Sequence, residues 1–188
     1  MQDLFNSINE SFVAFDGVGA PSTWVLSNHD VIRHASRMGG LKGRPTASDG
    51  VGPNDPQPDR LLGLRAARGA TMFMLGLAGA SYLYQGEELG LPEHTTLAPE
   101  FRQDPTFART EGKRVGRDGC RVPLPWEAGV GAANGFNSTG AAWLPQPDVY
   151  REYSRDQQDG IAGSTLELYK AALRIRRELK LGDRKSVV

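Results

Sequence analysis

The chain has 188 residues, and its 22 basic and 22 acidic side chains leave no net charge at neutral pH. This balance argues against nucleic acid or an anionic membrane as a partner and favours a small neutral ligand. With 39% apolar and 23% charged residues, the composition is that of a globular protein rather than a disordered or membrane-embedded one.

The single cysteine, Cys120, excludes an intrachain disulfide and favours a reducing compartment. The first residues carry neither the basic nor the apolar stretch of a secretory signal, so a cytoplasmic location is expected. The most apolar window, residues 70–83, is too short and too rich in Gly and Ser to span a bilayer.

The first predicted element is an amphipathic helix over residues 4–15, whose apolar positions recur at spacings of three and four. A strand is expected over residues 23–27. Residues 39–58 hold many Gly, Pro, Asp and Asn and no periodic pattern, which predicts a loop. A second helix is expected over residues 58–77, with small residues that let a neighbour approach closely, and a short buried strand over residues 81–84.

Residues 85–163 show little periodicity, and so long a loop in a compact domain is usually functional. Ser164 and Glu167 then form a predicted capping box, in which each side chain accepts from the backbone N–H of the other residue. The helix that follows is expected to run to about Leu179, and its last turns are rich in basic residues, as the helix dipole favours.

The order helix, strand, helix, strand, long loop, helix is typical of an α/β chain with a parallel sheet. Two parallel strands can neither bury both of their faces nor close a barrel. The sequence therefore predicts part of a larger domain.

The first strand ends in Asn28, His29 and Asp30, and Arg33 follows closely. Because ligands of α/β folds bind at the carboxyl ends of the strands, this imidazole, carboxylate and guanidinium suit a hydroxyl-rich ligand. The alternative is a turn that Asn and Asp cap by bonding to their own backbone.

Residues 116–126 form a second motif, in which Arg117 and Arg121 flank Asp118 and Trp126 closes the segment. Guanidinium groups bind hydroxyl oxygens and an indole stacks on a ligand, whereas the alternative is a surface ion-pair turn held by proline. In a third cluster, residues 84–88, we expect a capped strand end with solvated carboxylates.

No metal site and no cofactor are expected. The three histidines, at positions 29, 34 and 94, form no i, i+4 pair and have no cysteine partner. No phosphate-binding glycine motif precedes a helix, and no Gly-x-Ser-x-Gly motif of a serine hydrolase occurs.

Together the three clusters resemble the α-amylase superfamily of retaining glycoside hydrolases, family 13, in its α-glucosidase and oligo-1,6-glucosidase branch. Residues 28–30 with Arg33 resemble the fourth signature region, at the end of barrel strand seven. Residues 83–90 resemble the segment that closes strand eight, and residues 117–126 resemble the Arg-Asp-Asn-x-Arg-Thr-Pro-Met-Gln-Trp element of the loop after that strand.

The fold that the resemblance implies is the C-terminal fragment, strands seven and eight with flanking helices, of a (β/α)8 TIM barrel. Residues 1–181 would be this partial catalytic barrel, with residues 85–163 as the loop between strand eight and the last helix. Residues 182–188 would be a truncated tail.

The resemblance also implies roles for three residues. The aspartate that matches Asp30 is the third catalytic carboxylate, which holds sugar hydroxyls and helps distort the ring, and the histidine that matches His29 binds the same ring. The arginine that matches Arg117 lies against the terminal glucose.

The nucleophile and the acid/base of the family come from strands four and five, which no segment here resembles. We therefore expect part of a retaining α-glucosidase that acts on short α-glucosides, with these 188 residues inactive alone. Two alternatives remain: a transglycosylating member that forms glucan or trehalose, and an inert or non-catalytic sugar-binding fragment. The preference between α-1,4 and α-1,6 linkages stays open, since residues 119, 122, 124 and 125 differ from those common in the branch. The oligomeric state stays open as well.

Overall fold

The computed structural model describes residues 2–40 and 49–183. Helix α1 (Gln2–Asp16) precedes strand β1 (Thr23–Val25), and helices α2 (His34–Arg37) and α3 (Arg60–Gly76) lead to strand β2 (Ala80–Tyr82). The five-residue helix α4 (Pro105–Arg109) lies inside the long loop, and α5 (Thr165–Glu178) follows it. Short 3-10 helices occupy Pro99–Phe101, Asp118–Cys120, Asp148–Tyr153 and Arg155–Gln157.

The two strands pair in parallel, as predicted, with Thr23 opposite Ala80 and Val25 opposite Tyr82. Helices α2 and α3 form the crossover between them. Parallel strands have their carboxyl ends at the same edge, so the segments that follow β1 and β2 emerge side by side. This arrangement positions the polar motifs near one another.

Asp59 is the N-cap of helix α3, and its side chain accepts from the Leu62 N–H. Gly63 shows why small residues are needed on this helix, because a Cβ there would lie 2.0 Å from the Ala35 carbonyl oxygen of α2. On its other side α3 packs against α5, where the Thr71 and Tyr169 hydroxyls lie 2.7 Å apart.

The predicted capping box is only half correct. The Ser164 hydroxyl accepts from the Glu167 N–H at 3.2 Å, but the Glu167 carboxylate accepts from the Gly160 N–H instead of returning to Ser164. Of the basic residues at the end of α5, Arg176 does more than oppose the dipole: it donates to the carbonyls of Leu75, Leu77 and Gly79 and so ties α5 to the end of α3.

The long loop of residues 85–163 is built around its own core. Six of its residues are almost fully buried against one another: Leu89, Leu91, Leu97, Val122, Leu144 and Tyr150. The Tyr150 hydroxyl donates to the Pro92 carbonyl at 2.9 Å, which satisfies the polar atom of this buried ring. The loop is therefore an ordered layer over the strand ends.

The predicted loop over residues 39–58 is confirmed for residues 49–58, which contain neither helix nor strand, whereas residues 41–48 lie outside the described part of the chain. Within residues 2–40 and 49–183, no helix combines the length and the hydropathy that crossing a bilayer requires.

Candidate active site

Asp30 lies in the turn that follows β1. Its N–H donates to the Asn28 side chain at 2.7 Å, so the turn-capping alternative is correct for Asn28. The turn uses the backbone N–H of Asp30 and not its carboxylate, and 51% of the Asp30 side chain is exposed. One of its oxygens lies 3.4 Å from Nε2 of His29, which is also exposed.

Two arginines of the long loop reach this carboxylate. Arg117 Nη1 donates to Asp30 Oδ1 at 2.6 Å, and Arg121 Nη2 lies 3.5 Å from the same oxygen. Arg121 Nε donates to the His29 carbonyl at 2.9 Å. The structure thus brings His29, Asp30 and Arg117 together across 87 residues of sequence, and it adds Arg121, whose role the motif alone does not predict.

The alternative of a surface ion-pair turn is wrong for this motif. Asp118 is 1% exposed and accepts from the backbone N–H groups of Gln103 and Asp104 rather than pairing with the arginines on either side of it in sequence. Cys120 and Val122 are also fully buried. The motif is anchored in the protein, and only its two guanidinium groups turn towards Asp30.

A second carboxylate, Asp104, lies beneath the same arginines. Its Oδ2 accepts from Arg117 Nε at 2.5 Å and lies 3.7 Å from Arg121 Nη1, and its side chain is fully buried. Burial opposes ionisation, but hydrogen bonds from Arg117 and Thr106 outweigh it and hold the pKa of Asp104 below its usual range. Asp104 also caps α4 by accepting from the Thr106 N–H, and the motifs identified in the sequence predict neither this cap nor its contact with Arg117.

Arg33 does not belong to the polar cluster, which corrects the prediction for the strand tip. Its guanidinium is buried, donates to the Gln85 carbonyl at 2.8 Å and lies 5.1 Å from the centre of the Tyr84 ring. Arg33 therefore joins the turn after β1 to the segment after β2.

Glu87 corrects the expectation of solvated carboxylates after the second strand. It is 4% exposed, and its Oε1 lies 3.8 Å from Nδ1 of the buried His34. Burial raises the pKa of Glu87 to about 7 and, together with the charge of Arg37, lowers the pKa of His34 to about 4. Glu88, by contrast, is only partly buried and caps the turn by accepting from the Gly86 N–H.

The cluster pairs two carboxylates with two guanidinium groups, so its fixed charges balance. Asp30 and His29 are open to solvent, which leaves oxygen and nitrogen atoms free to bind hydroxyl groups. Trp126 is 45% exposed, and a stacking role for its indole stays a prediction. Within the described ranges, no group of three or more His, Cys, Asp or Glu side chains is placed to hold a metal ion.

The structure is an α/β arrangement with a polar cluster at the carboxyl ends of its parallel strands, the edge at which α/β folds bind their ligands. The model of the alpha-amylase catalytic domain family matches residues 1–182, and the chain belongs to that family. The resemblance predicted from the three motifs is thereby confirmed.

The relatives that the chain resembles are named as glucosidases. The chain is 34% identical over 154 residues to the probable alpha-glucosidase of Rhizobium meliloti, an alignment that covers 82% of this chain and 24% of that protein. It is 26% identical to the alpha-glucosidase of Candida albicans, covering 95% of this chain and 32% of the relative. The oligo-1,6-glucosidase of Parageobacillus thermoglucosidasius is 23% identical, with 95% and 31% covered.

Solved structures show the same fold. The alpha-glucosyl transfer enzyme XgtA superposes with a TM-score of 0.67 at 32% identity, over 92% of this chain and 28% of that one. The Bacillus licheniformis trehalose-6-phosphate hydrolase gives 0.68 at 22% identity, over 94% and 31%. The chain thus spans between 24% and 32% of the length of these proteins, and its fold is consistent with a fragment of an α/β barrel.

Proposed function

We propose that residues 1–182 are the C-terminal part of the catalytic barrel of a retaining α-glucosidase, with β1 and β2 as barrel strands seven and eight. The parallel pairing of the strands and the helical crossover between them support this assignment. The names of the curated relatives support α-glucosides as the substrate class.

Asp30 is the carboxylate that stabilises the transition state. The observation that carries this proposal is the convergence of His29, Arg117 and Arg121 on Asp30 from two distant parts of the chain. The arginines orient a carboxylate that remains half exposed, so it can still accept from sugar hydroxyls. Bonds to those hydroxyls that strengthen in an oxocarbenium-like transition state contribute several kcal/mol.

His29 and Arg117 bind the same sugar ring. His29 presents an exposed imidazole beside Asp30, and Arg117 presents a fork of donors that suits adjacent hydroxyl oxygens. Both side chains border Asp30, the carboxylate of this chain that contacts the substrate.

The nucleophile and the acid/base come from a part of the barrel outside these 188 residues. Retaining hydrolysis needs two such carboxyl groups roughly 5 Å apart. Asp104 is unsuited to either role, since it is fully buried beneath Arg117 and carries a lowered pKa. The chain alone therefore has no turnover.

The role of Asp30 is tested in a hybrid in which residues 1–182 replace the matching segment of the Rhizobium meliloti relative. Asp30→Asn should lower kcat by ~100-fold or more, because the amide loses a charge-assisted bond that is strongest in the transition state. Asp3→Asn, a change of an exposed aspartate on α1, is the matched control and should leave kcat unchanged. An Asp30→Asn hybrid with the kcat of the control would refute the assignment.

A second candidate is glucosyl transfer, because the 32% identical solved structure is named an alpha-glucosyl transfer enzyme. Both reactions use the same sugar site and differ in whether water or another hydroxyl accepts the glucosyl group. Product analysis of the hybrid in excess maltose separates them: both reactions release glucose from the cleaved maltose, but hydrolysis gives glucose as the sole product, whereas transfer to a second maltose also gives a longer oligosaccharide.

A further inference from the structure

Two segments of the long loop are interlocked below the candidate site. The buried Asp118 carboxylate accepts from the backbone N–H groups of Gln103 and Asp104, at 2.8 and 2.9 Å. In return, the Asp104 carboxylate accepts from the backbone N–H of Arg117 at 3.1 Å and from its Nε at 2.5 Å. Each segment thus fixes the other through a carboxylate.

Gly116 allows these segments to approach. Its φ of +70° lies in the left-handed region, and a Cβ at this position would stand 2.8 Å from the Cβ of Asp104. A glycine is required on both counts. The chain is therefore shaped to press Asp104 against the backbone that carries Arg117.

The Arg117 guanidinium has two carboxylate partners in different surroundings. Its Nε end meets Asp104, whose side chain is fully buried, and its Nη1 end meets Asp30, whose side chain is half exposed. Exposed ion pairs contribute little, whereas charge-assisted hydrogen bonds away from water are strong. Asp104 is thus the permanent partner, and Asp30 is the one that a ligand can draw away.

We propose that Asp104 is a positioning residue that fixes the direction of the Arg117 guanidinium, so that Nη1 points to Asp30 and to the sugar bound there. The sugar part of this statement rests on the proposed function. When a sugar hydroxyl competes for Asp30, Arg117 keeps its direction because its Nε remains bonded to Asp104.

The test follows the exchange of the Arg117 Nε–H proton with water by NMR, in the 188-residue chain. In Asp104→Asn, exchange should become at least about tenfold faster, because a bond to a charged acceptor is lost. Asparagine is chosen because its amide oxygen can still cap α4 by accepting from the Thr106 N–H. Unchanged exchange at Arg117 would overturn the proposal.

Two controls separate positioning from general support of the loop. The Arg121 Nε–H donates to the His29 carbonyl, and Arg121 approaches Asp104 only through Nη1, at 3.7 Å, so Asp104→Asn should leave exchange at Arg121 Nε unchanged. Asp30→Asn removes the other carboxylate partner and should leave the Arg117 Nε–H slow. Acceleration of Arg117 and Arg121 together, or equal acceleration in Asp30→Asn, would also overturn the proposal.

A second measurement needs no substitution. In the unaltered chain, a scalar coupling across the hydrogen bond should connect Arg117 Nε to the Asp104 carboxyl carbon, and its absence would contradict a fixed contact. Neither measurement depends on hydrolysis. An inactive hybrid would refute the α-glucosidase proposal while the exchange result decides the role of Asp104 separately.

Discussion

The long loop of residues 85–163 and helix α1 bury their apolar side chains to very different extents. The loop has six nearly fully buried residues that pack into one core. Helix α1 has no buried residue, although its sequence is amphipathic, and it leaves four large apolar side chains exposed: Leu4, Phe5, Val13 and Phe15. Phe12 of α1 packs edge-on against Trp24 of β1, with the ring centroids 5.4 Å apart.

This difference in burial shows which part of the molecule holds the candidate site in place. Arg117, Arg121 and Asp104 all belong to the loop that has its own core, so their geometry is fixed locally. Helix α1 presents an apolar face that the described residues do not cover, as do Val25 and Tyr82 on the strand pair. The rest of a barrel would cover that face under the proposed function.

The largest expected change in stability comes from a substitution that creates a cavity in the loop core. Leu144→Ala should destabilise the loop by about 3 kcal/mol, because Leu144 is 1% exposed and its removal leaves unfilled space. Hydrogen exchange followed by mass spectrometry should show faster exchange in peptides of residues 89–150.

The matched control lies on α1. Val13→Ala removes an apolar group that is 67% exposed and should change stability by less than about 0.5 kcal/mol. Equal losses of stability in Leu144→Ala and Val13→Ala would show that the loop core contributes no more to stability than α1 does.

A smaller effect is expected at Glu87, where the loop joins β2. Its pKa is raised to about 7 in the folded chain from 4.5, so the folded state favours the protonated carboxyl. The stability that this contributes is present below pH 4.5 and is lost as the pH rises through about 7. Between pH 5 and pH 8 this loss amounts to roughly 2 to 3 kcal/mol.

Glu87→Gln should abolish this loss, since glutamine stays neutral. We expect the variant and the unaltered chain to have similar free energies of unfolding near pH 5, and the variant to be more stable near pH 8. Urea titrations at both pH values measure this. Buried His34 has the opposite effect, because its pKa is lowered from 6.5 to about 4. Its contribution to the free energy of unfolding is lost as the pH falls through this range, and it is the same in both proteins. A constant difference between the two proteins at both pH values would show that Glu87 does not titrate as described.

The elements that were predicted correctly are those with a long apolar period. In helices α1, α3 and α5, apolar residues recur at helical spacing over two or more turns. The two short apolar runs between these helices pair in parallel as expected. Helix α2 and the 3-10 helices are too short for such a pattern. The core of the loop was missed because its residues are far apart in sequence and show no period.

The residues of the candidate site also fall into two groups, those that a sequence motif predicts and those that it does not. His29, Asp30 and Arg117 were predicted because they fall in motifs of the family, and the structure brings them together. Arg33 was grouped with them by its nearness in sequence, but packing turns it towards Gln85 and Tyr84. The roles of Asp104 and Glu87 depend on their burial in the folded chain, and no local sequence pattern predicts that burial.

The central claim is that this chain supplies one part of an α-glucosidase site and needs the rest of the barrel to act. Release of nitrophenol from a nitrophenyl α-glucoside tests it most directly, in the purified chain and in the hybrid with the Rhizobium meliloti relative. We expect no release by residues 1–188 above an Asp30→Ala control, and release by the hybrid. Turnover by the chain alone that Asp30→Ala abolishes would show that these residues do not need the rest of the barrel.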